Sequence, residues 1–204
     1  MNNEITTGYN QDLNVQMELF KTIIMKNELL FEVLSRAHLL ELENYYIGAG
    51  SLVQTVWNYL SGYPLMNGIH DIDLVYFDTD DLSFAAENKV IQETNKLFQD
   101  ILLKLDVKNQ ARIHLWYEDH FGYSIEPYHS LESAINTWPT TATAIGVKIN
   151  LNRDWSIYAP FGLNDLFGKI VKPNKVQITK EIYEKKVNRW LSVWSDLKVI
   201  PWDK

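Results

Sequence analysis

Two aspartates in one apolar stretch are the residues best suited to do chemistry. Asp71 and Asp73 stand at alternate positions in the segment 70–78, which is otherwise rich in strand-forming residues. Alternation along a strand places both carboxylates on one face, with Ile72 and Leu74 on the other. Neighbouring half-buried carboxylates repel each other, and a divalent cation relieves that repulsion. Carboxylate oxygens completed by waters and substrate phosphates suit Mg²⁺, or Mn²⁺ in its place, so the sequence predicts a metal site here.

A glycine-rich turn precedes the acidic strand. The residues Gly48, Ala49, Gly50 and Ser51 follow an apolar run and lead into a segment, 53–60, whose apolar residues recur at helical spacing. A helix start offers free backbone N–H groups and the positive end of the helix dipole, which suit a phosphate. Gly48, Gly50 and Ser51 are therefore predicted to bind an anionic phosphate. A phosphate site beside a metal site indicates phosphoryl or nucleotidyl transfer.

This combination resembles the glycine-serine and acidic-x-acidic signature of the polymerase-β-like nucleotidyltransferase superfamily. The chain is more closely similar to a bacterial family of nucleotidyltransferase-like proteins, over roughly residues 15 to 202. The resemblance identifies a family, implies the fold, and implies that Gly48, Gly50 and Ser51 bind a nucleotide triphosphate. The matching segments are 48–57, 71–78, 109–117, 137–144, 159–167 and 198–202.

The superfamily pattern implies a third carboxylate on the strand after the paired one. We predict that strand over Ala111 to Glu118, where alternation puts Arg112, His114 and Glu118 on the cleft face. Three alternatives stay open: Glu118 completes the metal site, His114 binds metal or substrate, or the site has only two acidic ligands. Catalytic roles are thus predicted for Asp71, Asp73, Glu118 and His114, and metal ligation for Asp71, Asp73 and Glu118. Two further acids remain candidates: Glu126 and Asp78.

Additional nucleotide contacts are predicted from a basic residue and from hydroxyls. Arg112 is the best placed cation to neutralise phosphate charge. Thr140 and Thr141 lie beside Trp138 and Pro139, and hydroxyls with an aromatic ring suit a nucleotide's phosphate, sugar or base. The competing interpretation is structural, because β-branched residues are common in ordinary strands.

The order of the elements predicts an α/β (α+β) fold with a mixed sheet flanked by helices. The 204 residues fit a single domain, with an N-terminal helical hairpin over about 12–39 and a C-terminal helix over about 179–195. A further helix is expected to end near Asp106, and a β-hairpin is expected over 144–158. Helical spacing of apolar residues also supports the terminal helices.

Composition narrows the function classes. The net charge of −7 disfavours a general nucleic-acid-binding surface, and the five histidines show no zinc-ligand spacing. No Walker motif, full dinucleotide-binding pattern or esterase elbow is present. The N-terminal stretch lacks the pattern of a secretory signal, and no apolar run approaches the roughly 20 residues of a membrane span. A cytoplasmic location without membrane partners is the expectation.

The sequence therefore predicts a metal-dependent nucleotidyltransferase that uses a nucleotide triphosphate and an acceptor of unknown identity. In that reaction the acceptor hydroxyl attacks the α-phosphorus and pyrophosphate leaves. The competing hypothesis is a catalytically inactive nucleotide-binding or protein-interaction module with the same fold, which the absence of an obvious third carboxylate favours. A third possibility, a structural partner without ligand, predicts neither binding nor turnover.

Overall fold

A computed structural model describes residues 7–204. The prediction that the N-terminal stretch is not a secretory signal concerns residues 1–6 as well, and these lie outside the described residues. Within these residues there are eight α-helices and seven strands. The helices are α1 (Leu13–Lys26), α2 (Glu28–Arg36), α3 (Gly50–Ser61), α4 (Phe84–Leu97), α5 (His114–Phe121), α6 (Leu131–Ile135), α7 (Asn164–Phe167) and α8 (Lys180–Leu191). The strands are β1 (Tyr45–Gly48), β2 (Asp71–Tyr76), β3 (Lys104–Asn109), β4 (Gly146–Ile149), β5 (Trp155–Tyr158), β6 (Ile170–Val171) and β7 (Lys198–Val199).

A five-stranded mixed sheet organises the fold, in the order β3-β2-β1-β4-β5. Only β2 and β3 run parallel, and the α4 crossover connects them. The other neighbours are antiparallel, including the predicted β4–β5 hairpin. Strands β6 and β7 form a separate parallel pair. This mixed sheet flanked by helices confirms the predicted fold class.

The main hydrophobic core covers one face of the sheet. Ile72 and Leu74 of β2 point into it and are fully buried, as the alternation predicts. Helices α1, α2 and α3 contribute apolar stripes at helical spacing, and α8 adds Trp190, whose ring meets Trp57 of α3 edge to face at 5.7 Å between centroids. Asn27 caps α2 by accepting a hydrogen bond from the Leu30 N–H. The main core therefore lies on one face of the sheet only, and the opposite face is not covered by it.

The opposite face carries the acidic strand residues and a smaller apolar cluster. Val75 of β2 packs there with Leu131 and Ile135 of α6, and the cluster includes Trp138 at its edge. Because Val75 and Asp73 share this face, the cluster shields one side of the acidic pair. We call this surface the cleft face.

The structure corrects the prediction for the segment between Phe98 and Glu118. The strand that follows β2 along the chain is β3, at Lys104–Asn109. The prediction of a strand over Ala111 to Glu118 is wrong. There the chain forms a short 3-10 helix and then α5. Asn109 ends β3 and caps the 3-10 helix, since its side chain accepts from the Ala111 N–H. The helix predicted to reach Asp106 ends instead at Leu97.

No helix among residues 7–204 is both long enough and apolar enough to cross a membrane.

Candidate active site

The centre of the cleft face is a row of residues set by strand register. Asp73 of β2 lies opposite Gly48 of β1 on one side and Asp106 of β3 on the other. Asp71 lies two residues before Asp73 and so belongs to the same face. The sheet thus brings together three aspartates and the glycine turn, and the third of them, Asp106, was missed by the sequence analysis.

The turn between β1 and α3 is held in a strained conformation. Ala49 has φ of +49° and ψ of −120°, a region that residues with a side chain rarely adopt, and its N–H donates to the Ile145 carbonyl at 3.0 Å. This turn places the first residues of α3 beside Asp73, whose carboxyl group accepts a hydrogen bond from the Gly50 backbone N–H. The N-terminus of α3 therefore lies at the acidic row. A phosphate bound there would accept hydrogen bonds from N–H groups that have no partner within the helix.

Two predicted residues of this turn have distinct local roles. Gly48 is required because a Cβ there would come within 2.4 Å of Cη2 of Trp138, so the indole ring lies directly on the glycine. Ser51 is 2% exposed, and within the described chain its hydroxyl has no hydrogen-bond partner. A buried hydroxyl without a partner is costly, and a bound ligand at the start of α3 would satisfy it.

Asp73 is the most strongly perturbed carboxyl group of the row. Burial, together with the charges of Asp71 and Asp106, raises its pKa from 3.8 to about 7, although Lys186 of α8 acts in the opposite direction. The same burial, with the charge of Arg189, lowers the pKa of Lys186. Asp73 and Lys186 are half-buried, whereas Asp106 is partly exposed and Asp71 is exposed, so the row runs from solvent into the protein. Further positive charge would be stabilising there.

The Asp73 shift predicts how the metal-free protein responds to pH. The folded state holds this proton more tightly than the unfolded chain, so the stabilisation is complete below about pH 4 and is lost as the pH rises through about 7. We expect the metal-free protein to have a lower urea midpoint at pH 8 than at pH 6, and this difference to shrink in Asp73→Asn. An equal pH response in the two proteins would contradict the shift.

The donor set of the row fits a hard divalent cation. Asp106 is paired with Lys108, whose Nζ lies 2.9 Å from Oδ1, and with Lys104 at 3.7 Å from the same oxygen. Within residues 7–204, no three carboxylate or imidazole groups already form a metal cluster. Mg²⁺ typically takes one or two protein carboxylates and fills its other positions with water and substrate phosphate. Asp71 and Asp73, with Asp106 beside them, meet that requirement.

A large pocket opens beside the acidic row, between α5, the segment 137–139 and α8. Its volume is about 700 Å³, within the range of small-molecule sites. Lys186 and Trp138 connect it to the row, because Lys186 acts on Asp73 and Trp138 covers Gly48. The lining consists of aliphatic, aromatic, amide and basic residues: Gln110, Ile113, Tyr117, His120, Phe121, Tyr128, Thr137, Trp138, Pro139, Gln177, Ile178, Ile182, Lys185, Lys186 and Arg189.

The charge of the pocket is opposite to that of the whole chain. Lys185, Lys186 and Arg189 line it, and no Asp or Glu does, although the chain has a net charge of −7. A separate cavity of about 560 Å³ shows the reverse, since it is lined by five acids and no Lys or Arg: Glu41, Glu43, Asp78, Asp80 and Glu132. This segregation favours an anionic ligand in the pocket beside the acidic row.

The third-carboxylate candidates lie away from the strand beside β2. Glu118 is exposed on α5, and the position next to Asp73 is occupied by Asp106. The placement of Glu118 on the cleft face of a strand was therefore wrong. His114 is the first residue of α5, half-buried, and its Nδ1 has no hydrogen-bond partner among the described residues.

The other predicted nucleotide contacts are engaged within the protein. Arg112 forms a buried ion pair with Glu87 and donates from Nε to the Leu82 carbonyl. The Thr140 hydroxyl bonds with that of Thr143 at 2.8 Å, and Thr141 donates to Asp165 at 2.6 Å. Glu87 also accepts from the Asn109 N–H, so this network fixes the end of β3. Arg112 thus acts on the site by positioning β3.

The fold and the acidic row together define a polymerase-β-like nucleotidyltransferase fold. A solved NMR structure described as revealing a CCA-adding enzyme head domain is similar over 89% of this chain and 95% of that chain, with a TM-score of 0.71 and 23% sequence identity. At that identity the likeness shows the fold. No curated protein matches the chain.

Residues 35–199 match the Nucleotidyltransferase family, and the chain belongs to that family. The predicted resemblance is confirmed. The matched range contains the glycine turn, all three aspartates and α8.

Proposed function

We propose that the protein is a metal-dependent nucleotidyltransferase that transfers a nucleoside monophosphate from a nucleotide triphosphate to an acceptor hydroxyl. The observation that carries the proposal is the register that puts Asp73 between Gly48 and Asp106, at the start of α3. It joins carboxylate oxygens to free helix N–H groups, and these two features are what a metal-bound polyphosphate requires.

Asp71 and Asp73 would hold the metal, with Asp106 in the role that the sequence analysis gave to Glu118. A divalent cation bound there supplies charge neutralisation on the phosphates and alignment of the attacking and leaving oxygens. The N–H group and the hydroxyl of Ser51 would bind phosphate oxygens, while the Gly50 N–H holds Asp73 in place. In this assignment the acceptor hydroxyl loses its proton to water and its oxygen attacks the α-phosphorus. The bond from the α-phosphorus to the oxygen that bridges to the β-phosphorus then breaks, and pyrophosphate leaves.

Lys186 would provide the positive charge that sequence analysis assigned to Arg112. It lies between the acidic row and the pocket, and Arg189 lies one helical turn further along the same side of α8. Since Arg112 is committed to Glu87, the α8 cations are better available for a polyphosphate. In the metal-free protein the negative charge nearest in effect to Lys186 is that of Asp73. A bound polyphosphate would take over as the negatively charged partner of Lys186.

Nucleotide binding tests the proposal without knowledge of the acceptor. Calorimetry with α,β-methylene analogues of the four nucleotide triphosphates should show binding that requires Mg²⁺ or Mn²⁺ and is lost in the double variant Asp71→Asn/Asp73→Asn. Lys186→Ala should bind about tenfold more weakly, because a charge-assisted hydrogen bond contributes roughly 1.5–3 kcal/mol.

The matched control is Lys89→Ala, which removes an exposed lysine from α4. It should bind like the wild type. Metal-independent binding that survives in the aspartate double variant would favour the inactive nucleotide-binding module, and it would refute the metal-dependent site.

A further inference from the structure

The pocket beside the acidic row contains polar groups that the transfer reaction itself does not use. Gln110 precedes α5, is only 6% exposed, and lines the pocket. Its backbone carbonyl accepts from the Ile113 N–H, and its side-chain amide makes no hydrogen bond with the described residues and is not among their fully buried polar groups, so it is open to the pocket. A ligand that fills the pocket excludes water from this amide, and the amide then costs free energy unless the ligand pairs with it.

A second amide in the pocket is held in one orientation. Oε1 of Gln177 accepts from the Tyr128 hydroxyl at 2.8 Å, and the backbone carbonyl of Gln177 accepts from Tyr123 at the same distance. The Tyr128 hydroxyl also lies 3.1 Å from Oγ1 of Thr137. Oε1 keeps one lone pair after this bond, and the Nε2 hydrogens make no hydrogen bond with the described residues, so the side chain can both donate to a ligand and accept from it.

The apolar part of the lining suits a flat ring. Tyr117, Phe121 and Trp138 supply aromatic surface, and Ile113, Ile178 and Ile182 supply aliphatic surface. Aromatic side chains bind nucleobases by stacking, which tolerates every base, so selection among bases depends on hydrogen bonds to the base edge. Gln110 and Gln177 provide such hydrogen bonds within an apolar pocket.

The position of the pocket fits the nucleoside end of the donor. Ile182, Lys185, Lys186 and Arg189 form a stripe at helical spacing along α8, adjacent to the stripe that packs in the core. Lys186 stands at the boundary with the acidic row. A nucleotide whose phosphates lie at the row and the α8 cations would therefore place its sugar and base in the pocket.

We propose that this pocket binds the nucleobase of the donor nucleotide, and that Gln110 is the residue that determines which base is accepted, with Gln177 as a second contact. The inference rests on the proposed function for the location of the phosphates. The pocket selects by leaving the Gln110 amide unpaired when the base edge does not match. Such a mismatch typically discriminates more strongly than a loss of apolar contact.

The test compares base preference in wild type, Gln110→Met, Gln177→Met and Gln92→Met. Methionine keeps the length of glutamine and removes its hydrogen bonds, and Gln92 is an exposed control on α4. Affinities for the four α,β-methylene triphosphates are measured with Mg²⁺. Wild type and Gln92→Met should prefer one or more bases by about tenfold, and Gln110→Met should reduce the preference to about threefold or less, through weaker binding of the preferred base. Gln177→Met should change it less.

Base preference that is absent in the wild type, or unchanged in Gln110→Met, overturns the proposal. Thermal melting identifies a variant that fails to fold, and Gln177→Met then carries the test, since its preference must also fall. The four nucleoside monophosphates, titrated without metal into wild type and Asp73→Asn, separate this proposal from the one on which it rests. Equal base preference in both proteins, without any nucleotidyl transfer, would leave the base pocket standing and refute the enzyme. If transfer requires Asp73 but its base preference is unchanged in Gln110→Met, the enzyme stands and the base pocket is refuted.

Discussion

Asp73→Asn is expected to abolish nucleotidyl transfer while the protein stays folded. Transfer of label from an α-³²P-labelled nucleotide triphosphate to the acceptors in a cell extract should fall by about 10³-fold or more. The reason is that Asp73 would hold the metal, whose stabilisation of transition-state charge is worth several kcal/mol, and each loss of about 1.4 kcal/mol costs a factor of ten.

The stability of the same variant provides an independent readout. Because burial and the charges of Asp71 and Asp106 raise the pKa of Asp73 to about 7, ionised Asp73 is unfavourable in the metal-free protein. A neutral asparagine should therefore raise the melting temperature at pH 8, measured without metal. Loss of transfer together with unchanged or raised stability identifies a chemical role, whereas loss of both would indicate a structural one.

The matched control for Asp73→Asn is Asp119→Asn. Asp119 is exposed on α5 and does not line the pocket beside the acidic row. The control should transfer label at the wild-type rate. Equal rates for Asp73→Asn and the wild type would remove Asp73 from the metal site and refute the proposed mechanism.

The central strand, turn and helix could be predicted because their signals are local. Alternation fixes the face of Asp71 and Asp73 within a few residues, and the glycine turn marks the start of α3. The reason for Gly48, in contrast, is contact with Trp138, which lies 90 residues later in the chain. No local pattern contains that information.

The strand β3 was missed because two periodicities overlap. Phe98, Ile101 and Leu105 match helical spacing and extend α4 too far, although residues 103–108 alternate strictly between apolar and polar. The observed strand buries Leu105 and Val107 and turns Asp106 to the cleft face. Period-two alternation around an acidic residue was the signal that would have found it.

The predicted strand over Ala111 to Glu118 failed for a related reason. Its alternation is real in the sequence, but the structure buries the consecutive residues Ala111, Arg112 and Ile113, which no strand alternation allows. Tyr117 is buried as well, four residues after Ile113, as on one face of a helix. The cap at Asn109 then starts helical structure immediately after β3. The pocket beside the acidic row could not be predicted from local patterns, since it forms between α5 and α8, which are far apart in the sequence.

Asp106→Asn and Glu118→Gln together decide which residue is the third carboxylate. Both variants replace one carboxylate with its amide, and they differ in location: Asp106 lies beside Asp73 in the sheet, and Glu118 is exposed on α5. Asp106→Asn should reduce label transfer on the order of 10²-fold, the lower end of the effect of losing a group that stabilises charge or accepts a proton in the transition state. Glu118→Gln should transfer label at the wild-type rate.

The ion pairs of Asp106 require one further control. Lys108 lies 2.9 Å from Asp106, so removal of the carboxylate also frees this lysine next to the site. Lys108→Met in the wild-type background removes the same pair from the other side. It should retain most of the activity if the carboxylate acts directly, because Lys108 is 38% exposed and such pairs contribute little to stability. If Lys108→Met and Asp106→Asn lose activity equally, Asp106 acts only through the pair. If Glu118→Gln alone is inactive, the third carboxylate reaches the site from α5, and the register of β2 and β3 does not define it.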